Sequence, residues 1–244
     1  MRLRFLFRAF RARYRDQRQE IAEILAVLRP GDFAADIGAH KGSYTCWMRH
    51  AVGPTGKVIA FEPQAGLAAY LEAACAAMRW SNVRILGCAL SDRPGAATLH
   101  IPGIGPSPGA SLERSTDSAA PGRQQTCPVE TLDHVLENET APALLKIDVE
   151  GHELRVLRGA ERTIAQHKPV ILFECEARHL ADVTMEQVFA FLRERGYTGR
   201  FFSPGGLRPV SEFDPAVHQA SGPARFWEAP GYCNNFVFKP VGKS

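Results

Sequence analysis

The chain has 244 residues, of which 45% are hydrophobic and 23% are charged. These fractions are typical of a globular protein, and they exclude the disordered, collagenous and membrane-spanning classes. The net charge of +3 is too small to predict binding to nucleic acid. The cysteines form no CxxC pair and no Cys/His cluster with zinc spacing. We therefore expect no metal site of that kind and a reducing, cytoplasmic location.

The start of the chain predicts a basic N-terminal arm, residues 1–19, ahead of one domain over residues 20–244. Residues 1–20 contain seven arginines against Asp16 and Glu20. Leucine and phenylalanine side chains are interleaved with these arginines, which is the pattern of a basic amphipathic helix. Because the apolar stretch is short, we favour a solvated helix that packs on the domain. The alternative is a helix that lies on an anionic membrane surface or binds an acidic partner.

Beyond the arm, short apolar runs alternate with segments of helical period, which is typical of βαβ units and a parallel sheet. The predicted main strands cover residues 33–37, 57–61, 83–90, 144–148 and 170–174, with a short edge strand at 98–101 and closing strands at 201–202 and 236–238. Predicted helices follow residue 42 and cover about 67–78, 152–166 and 185–195. Residues 102–122 are rich in Pro, Gly, Ser and Ala and have no period. A loop of this length predicts a lid over a site.

A glycine-containing turn joins the first strand to the first helix. Gly38 allows a tight turn and Gly42 lets the helix approach the strand closely. The spacing Gly38-x-x-x-Gly42, with Asp36 ahead of it, lacks the G-x-G-x-x-G of dinucleotide folds. Because an acid at the strand end would repel a pyrophosphate and suits a ligand with an ammonium group, the turn favours S-adenosylmethionine over NAD. One strand later, Glu62 can accept hydrogen bonds from both hydroxyls of a ribose.

The third informative segment is residues 146–153, where Asp148 ends a strand at the carboxyl edge of the predicted sheet. Glu150 and His152 follow in the turn to the next helix. The predicted catalytic residues are therefore Asp148, Glu150 and His152, with His152 or Asp148 as the base that takes a proton from an alcohol and Glu150 orienting it. A divalent metal held by Asp148, Glu150 and Glu174 could replace the base, but their spacing is not that of a known cage, and we predict no metal.

These three segments, residues 36–45, Phe61-Glu62-Pro63 and residues 146–153, resemble the FkbM-type family of S-adenosylmethionine-dependent methyltransferases. The similarity covers roughly residues 20–200. It implies an α/β fold, the Rossmann-like class I methyltransferase fold, with a seven-stranded, mostly parallel sheet flanked by helices. It also implies that Asp36, Gly38 and Gly42 contact the methionine part of the cofactor, Glu62 the ribose, and Ser91-Asp92 the adenine. The full predicted cofactor-binding set is Asp36, Gly38, Ala39, Gly42, Tyr44, Glu62, Pro63, Ser91 and Asp92.

The function that follows from the resemblance is methyl transfer from S-adenosylmethionine, commonly onto a hydroxyl oxygen, here of a small molecule or a glycan. One alternative is a non-catalytic module that binds the cofactor and uses the basic arm as a tether. A second alternative is a nucleotide-dependent oxidoreductase, which the missing third glycine disfavours.

Overall fold

The computed structural model describes residues 1–103, 105–113, 122–222, 226–229 and 231–242. Most of its strands belong to one large sheet flanked by helices, and three belong to a second sheet. The strands are β1 (Phe33–Ile37), β2 (Lys57–Phe61), β3 (Val83–Leu86), β4 (Ala89–Leu90), β5 (Gly95–Pro102), β6 (Gly122–Glu130), β7 (Leu144–Ile147), β8 (Val170–Glu174), β9 (Tyr197–Ser203), β10 (Gly206–Pro209) and β11 (Asn235–Pro240). The α-helices are α1 (Arg2–Arg11), α2 (Arg18–Val27), α3 (Ser43–Val52), α4 (Ala65–Met78), α5 (Leu132–Val135), α6 (Glu153–Arg158), α7 (Glu161–His167), α8 (Met185–Glu194) and α9 (Pro215–His218).

The large sheet has the strand order β10-β9-β11-β8-β7-β1-β2-β3. Neighbours from β8 to β3 pair in parallel, whereas β11, β9 and β10 pair antiparallel. The predicted fold class is thereby confirmed, and β10 adds an eighth strand at the edge, as a hairpin with β9. Because β1 lies between β7 and β2, the chain order reverses beside it, and ligands bind at such switch points in open α/β sheets.

The central strands match their sequence prediction because their apolar runs are continuous. Every residue of β1 and of β7 is buried, as expected for parallel strands covered on both faces. Asp36 and Lys146 are the charged residues within these two buried strands, and each bears on the site described below.

Three elements of the structure differ from the sequence prediction. The strand predicted at 83–90 is divided, since β3 joins the large sheet and β4 pairs with β6 in the small one. Strand β6 was not predicted, because most of its side chains are exposed or half-buried and polar. The helix predicted at 152–166 is broken between α6 and α7 at Gly159, where an added Cβ would lie 2.0 Å from the carbonyl oxygen of Ser91.

The N-terminal arm forms α1 and a short π-helical turn (Ala12–Asp16), and its last residues begin α2. Phe5 and Ala9 are each 1% exposed and belong to a buried apolar cluster with Ala39 and Leu71. This face of α1 therefore packs on the domain, as the favoured interpretation predicts. In the part of the chain that the structure describes, no helix has the length and apolar character needed to cross a bilayer.

Candidate active site

A cleft of about 250 Å³ lies where β1, β2, β7 and β8 end. One wall is the turn that follows β1, with Gly38, Ala39 and Tyr44 among its residues. The opposite parts of the lining come from the turn after β7 and from residues 108–112. The described part of the predicted lid thus lies at the cleft, and residues 104 and 114–121 of that lid are outside the described residues.

The turn after β1 requires glycine at its first position. Gly38 has a φ of +82°, and an added Cβ would lie 1.8 Å from the carbonyl oxygen of Asp148. Its amide donates to the carbonyl oxygen of Phe61 at 3.0 Å. The turn therefore touches the backbones that follow both neighbouring strands, and a side chain here would push them apart.

Asp36, predicted to contact the cofactor, does not line the cleft. It is 1% exposed and accepts a hydrogen bond of 2.5 Å from the hydroxyl of Thr45 on α3. Burial raises the pKa of Asp36 to about 6, although the bond from Thr45 opposes this. Gly42 also lies behind the lining, where an added Cβ would meet Leu71 and Phe5. Asp36 therefore acts on the cleft through its charge and by fixing α3.

Glu62 does line the cleft, as its place at the end of β2 predicts. One of its carboxylate oxygens accepts from the amide of His40 at 2.7 Å, and the other accepts from the amide of Gln64 at 2.9 Å. Burial raises the pKa of Glu62 to about 7, and the two amide donors oppose that rise. Since each carboxylate oxygen has two acceptor sites, the fixed carboxylate keeps capacity for the two hydroxyls of a ribose.

The residues predicted to contact the adenine, Ser91 and Asp92, are hydrogen-bonded to protein groups. The Ser91 hydroxyl lies 2.8 Å from Nε2 of His152, and the hydroxyl donates to Asp92 at 3.1 Å. Neither Ser91 nor Asp92 lines the cleft, and the wall here is the apolar run Cys88-Ala89-Leu90. An apolar wall suits a flat aromatic base, and the hydrophobic run itself is the sequence signal that could have found it.

The predicted catalytic residues Asp148, Glu150 and His152 all line the cleft. Asp148, Glu150 and Glu174 each offer a carboxylate oxygen, and the three oxygens lie within 4.8 Å of one another. Burial, and then the charges of Asp148 and Glu150, raise the pKa of Glu174 well above its usual value. Carboxylates this close share protons or bind a hard cation.

His152 is held at both ring nitrogens by protein groups. Its Nδ1 lies 2.7 Å from a carboxylate oxygen of Glu113, and its Nε2 lies 2.8 Å from the Ser91 hydroxyl. The ring is 7% exposed, and both of its nitrogens are already engaged by protein groups. This geometry favours Asp148 over His152 as the proton acceptor and makes His152 the link between the cleft and residues 111–113.

Two further residues of the site carried no assigned role in the sequence motifs. His179 places its Nδ1 2.6 Å from a carboxylate oxygen of Glu150; burial lowers the pKa of His179, but the contact with Glu150 outweighs this and raises it overall. Lys146 is fully buried, with its Nζ 3.7 Å from the Asp148 carboxylate and 4.9 Å from the centre of the Tyr44 ring. Lys146 therefore supplies a fixed positive charge beneath the carboxylate cluster.

A family model described as the methyltransferase FkbM domain matches residues 36–198, well over half of the chain and every segment that forms the cleft from β1 to β8. The chain belongs to the FkbM methyltransferase family. S-adenosylmethionine is accordingly the cofactor of this FkbM-family chain, as the sequence predicts. The fixed Glu62 carboxylate and the apolar wall after β3 fit its ribose and its adenine.

Solved structures agree with the fold of this FkbM-family chain. An FkbM methyltransferase from Methylobacillus flagellatus KT is 16% identical with a TM-score of 0.54, and the match covers 90% of this chain and 50% of that one. The chain thus spans half the length of the Methylobacillus protein. A Clostridium thermocellum protein proposed to be an rRNA methylase is 10% identical with a TM-score of 0.54, covering 93% and 96%. At these identities the likeness shows the fold alone, and no curated protein matches the chain.

Because Asp36 and Glu62 are buried carboxyl groups, we expect cofactor binding to become tighter as the pH rises. S-adenosylmethionine is cationic at its sulfonium and ammonium groups, so it binds best when Asp36 and Glu62 are ionised. Because burial raises the pKa of Asp36 to about 6 and that of Glu62 to about 7, both are partly protonated in weak acid. We expect the Kd to fall between about pH 5 and 8, by up to about tenfold per pH unit for each proton released.

Calorimetry in buffers of different ionisation enthalpy measures that proton release. Glu62→Gln should flatten the part of the profile near pH 7, and S-adenosylhomocysteine, which lacks the sulfonium charge, should show a weaker dependence on pH. Tighter binding of S-adenosylmethionine at pH 5 than at pH 8 would contradict this account.

Proposed function

We propose that the chain transfers the methyl group of S-adenosylmethionine to a hydroxyl oxygen of a small molecule or a glycan. The observation that carries this proposal is the contact between the cofactor turn and the carboxylate cluster. Gly38 abuts the backbone of Asp148, and the Asp148 amide donates to the carbonyl oxygen of Ile37 at 2.9 Å. The group that takes up a proton is thereby held at a fixed distance from the turn that binds the methionine part.

The chain's own residues then have distinct roles. When bound, the cofactor supplies an activated methyl group for in-line displacement. Asp148 lies in the cleft with about a quarter of its side chain exposed (27%), and it receives the proton of the acceptor hydroxyl. The Lys146 ammonium holds that carboxylate in place, while Glu150, paired with His179, orients the acceptor. Positioning of this kind can supply much of the acceleration of a displacement reaction.

Residues 105–113 supply the part of the cleft that faces the acceptor. The Ser111 hydroxyl donates to the carbonyl oxygen of Glu150 at 2.6 Å, and Glu113 contacts His152. The side-chain amide of Gln64 donates to the carbonyl oxygen of Ser107 at 2.9 Å, beside Glu62. The loop is therefore joined to both the cofactor side and the proton-accepting side, which supports a role in excluding water and in selecting the acceptor.

The test is turnover with labelled S-adenosylmethionine against a panel of sugar alcohols, phenols, hydroxy acids and glycans. The proposal predicts S-adenosylhomocysteine and a labelled methyl ether in equal amounts. Tight cofactor binding without product from any acceptor would support the non-catalytic module instead. Tight binding of NADH with none of S-adenosylmethionine would support the oxidoreductase, and label found only on nitrogen would exclude the hydroxyl acceptor.

A further inference from the structure

The outer face of α1 carries a row of exposed apolar side chains that the proposed methyl transfer does not use. Leu3, Phe7 and Phe10 of α1 and Tyr14 of the π-helical turn that follows it, here called the N-terminal ridge, are 84%, 69%, 52% and 63% exposed. At about 100° per residue, Leu3, Phe7 and Phe10 lie within about 60° of one another on the helix. They point roughly 150° away from Phe5 and Ala9, which pack on the domain. The ridge therefore faces outward.

The exposed large apolar side chains of this protein are concentrated in the ridge. Besides the ridge and Met1, the large apolar side chains exposed in the described residues are Val217, Trp227 and Val241, which lie far along the chain. Single exposed apolar side chains are ordinary, whereas a contiguous row with polar edges marks an interaction surface.

Positive charge borders the ridge. Arg2 and Arg4 of α1 are exposed, and no acidic group in the described residues lies within ion-pair distance of them. Asp16 pairs with Arg11 and Arg15, at 2.8 and 3.6 Å. More cations than acids therefore surround the apolar row, and this arrangement complements an anionic surface.

The helix that carries the ridge is fixed before any partner arrives. The Trp47 indole donates to the carbonyl oxygen of Ala9 at 2.7 Å, the Arg8 guanidinium donates to the Tyr70 hydroxyl at 3.1 Å, and Phe5 contacts Trp80 edge to face. Docking through the ridge would therefore cost little conformational entropy, whereas a disordered tail would lose conformational entropy when it docked.

We propose that the N-terminal ridge docks this protein on an anionic lipid surface, with the apolar side chains in the interface and the arginines on the lipid headgroups. A second copy is disfavoured because an isologous contact would bring the two sets of unpaired arginines together. The inference goes beyond the proposed function and does not depend on the methyl acceptor.

The experiment is cosedimentation of the full chain with phosphatidylcholine vesicles that contain either no or about 30 mol% phosphatidylglycerol. We expect binding only to the anionic vesicles, and weaker binding in 1 M salt, where the Debye length falls to about 3 Å. Leu3→Gln combined with Phe7→Gln should lower the affinity at least about tenfold. Arg2→Gln combined with Arg4→Gln should lower it about thirtyfold, at about one kcal/mol per arginine.

Val217→Gln is the matched control, because Val217 is 68% exposed and lies outside the arm. It should bind vesicles as the wild type does, and all variants should keep the wild-type melting temperature because the replaced side chains are exposed. Failure of the wild type to bind anionic vesicles, equal binding to neutral vesicles, or full binding by the Leu3/Phe7 variant would overturn the proposal. So would a dimer in solution that the Leu3/Phe7 variant abolishes while vesicle binding is unchanged, since the ridge would then belong to a second copy.

Discussion

Asp148→Asn should lower kcat by about 10²–10⁴-fold while cofactor affinity changes by no more than about tenfold. The substitution keeps the size of the side chain and removes its capacity to take a proton. The backbone contacts of residue 148 with Ile37 and Gly38 do not involve the side chain, so the cofactor turn should stay in place. Initial rates with an acceptor from the panel, together with calorimetry for S-adenosylmethionine, separate the two effects.

His152→Gln is the comparison that assigns the base. His152 is hydrogen-bonded to Glu113 and Ser91, so its loss should act mainly on stability and on the position of residues 111–113. We expect its kcat to fall less than about tenfold, below the usual range for loss of a general base. If His152→Gln is as inactive as Asp148→Asn while remaining folded, the histidine is the base and the assignment made here fails.

Gly38→Ala should destabilise the fold by about 3 kcal/mol or more and abolish cofactor binding. A left-handed backbone costs a residue with a Cβ roughly 1–2 kcal/mol. The remainder comes from overlap with the carbonyl oxygen of Asp148, 1.8 Å from the added carbon, which the backbone can relieve only by moving. Urea unfolding and calorimetry with S-adenosylmethionine measure the two losses.

Gly196→Ala separates the overlap from the backbone strain. Gly196 has a φ of +76°, close to the +82° of Gly38, but no described atom lies within 4 Å of an added Cβ. This variant should lose only about 1 kcal/mol and should bind the cofactor normally. Equal losses in the two variants would show that φ alone matters and that the contact with Asp148 does not.

Much of the scaffold could be predicted from local patterns. The limits of β1, β2 and β8 agree with prediction because each is a short apolar run bounded by polar or turn residues. Strand β6 was missed because its exposed, polar side chains carry no alternation strong enough to predict pairing. The break at Gly159 depends on a neighbour, the Ser91 carbonyl, that no local pattern reveals.

Several residues predicted for the site line the cleft, and the structure adds contacts that the sequence did not predict. Glu62 and Asp148 line the cleft because a residue at the end of a parallel strand reaches the carboxyl edge of the sheet. Asp36 also lies near the end of a parallel strand, but its carboxylate accepts a hydrogen bond from the Thr45 hydroxyl and does not line the cleft. His179 was missed because it lies outside every motif and meets Glu150 only in the folded chain.

The amino-acid sequence by itself determined the parallel sheet, the cofactor turn and the family, since buried runs and short motifs are local features. Only the tertiary structure decided which carboxylates face the cleft, that His152 is held at both nitrogens, and that one face of α1 is buried while the other is exposed. The physical reason is that burial and hydrogen-bond partners come from residues far apart in the chain. Ser91 and Glu113, which contact His152, are 61 and 39 residues away from it in the sequence.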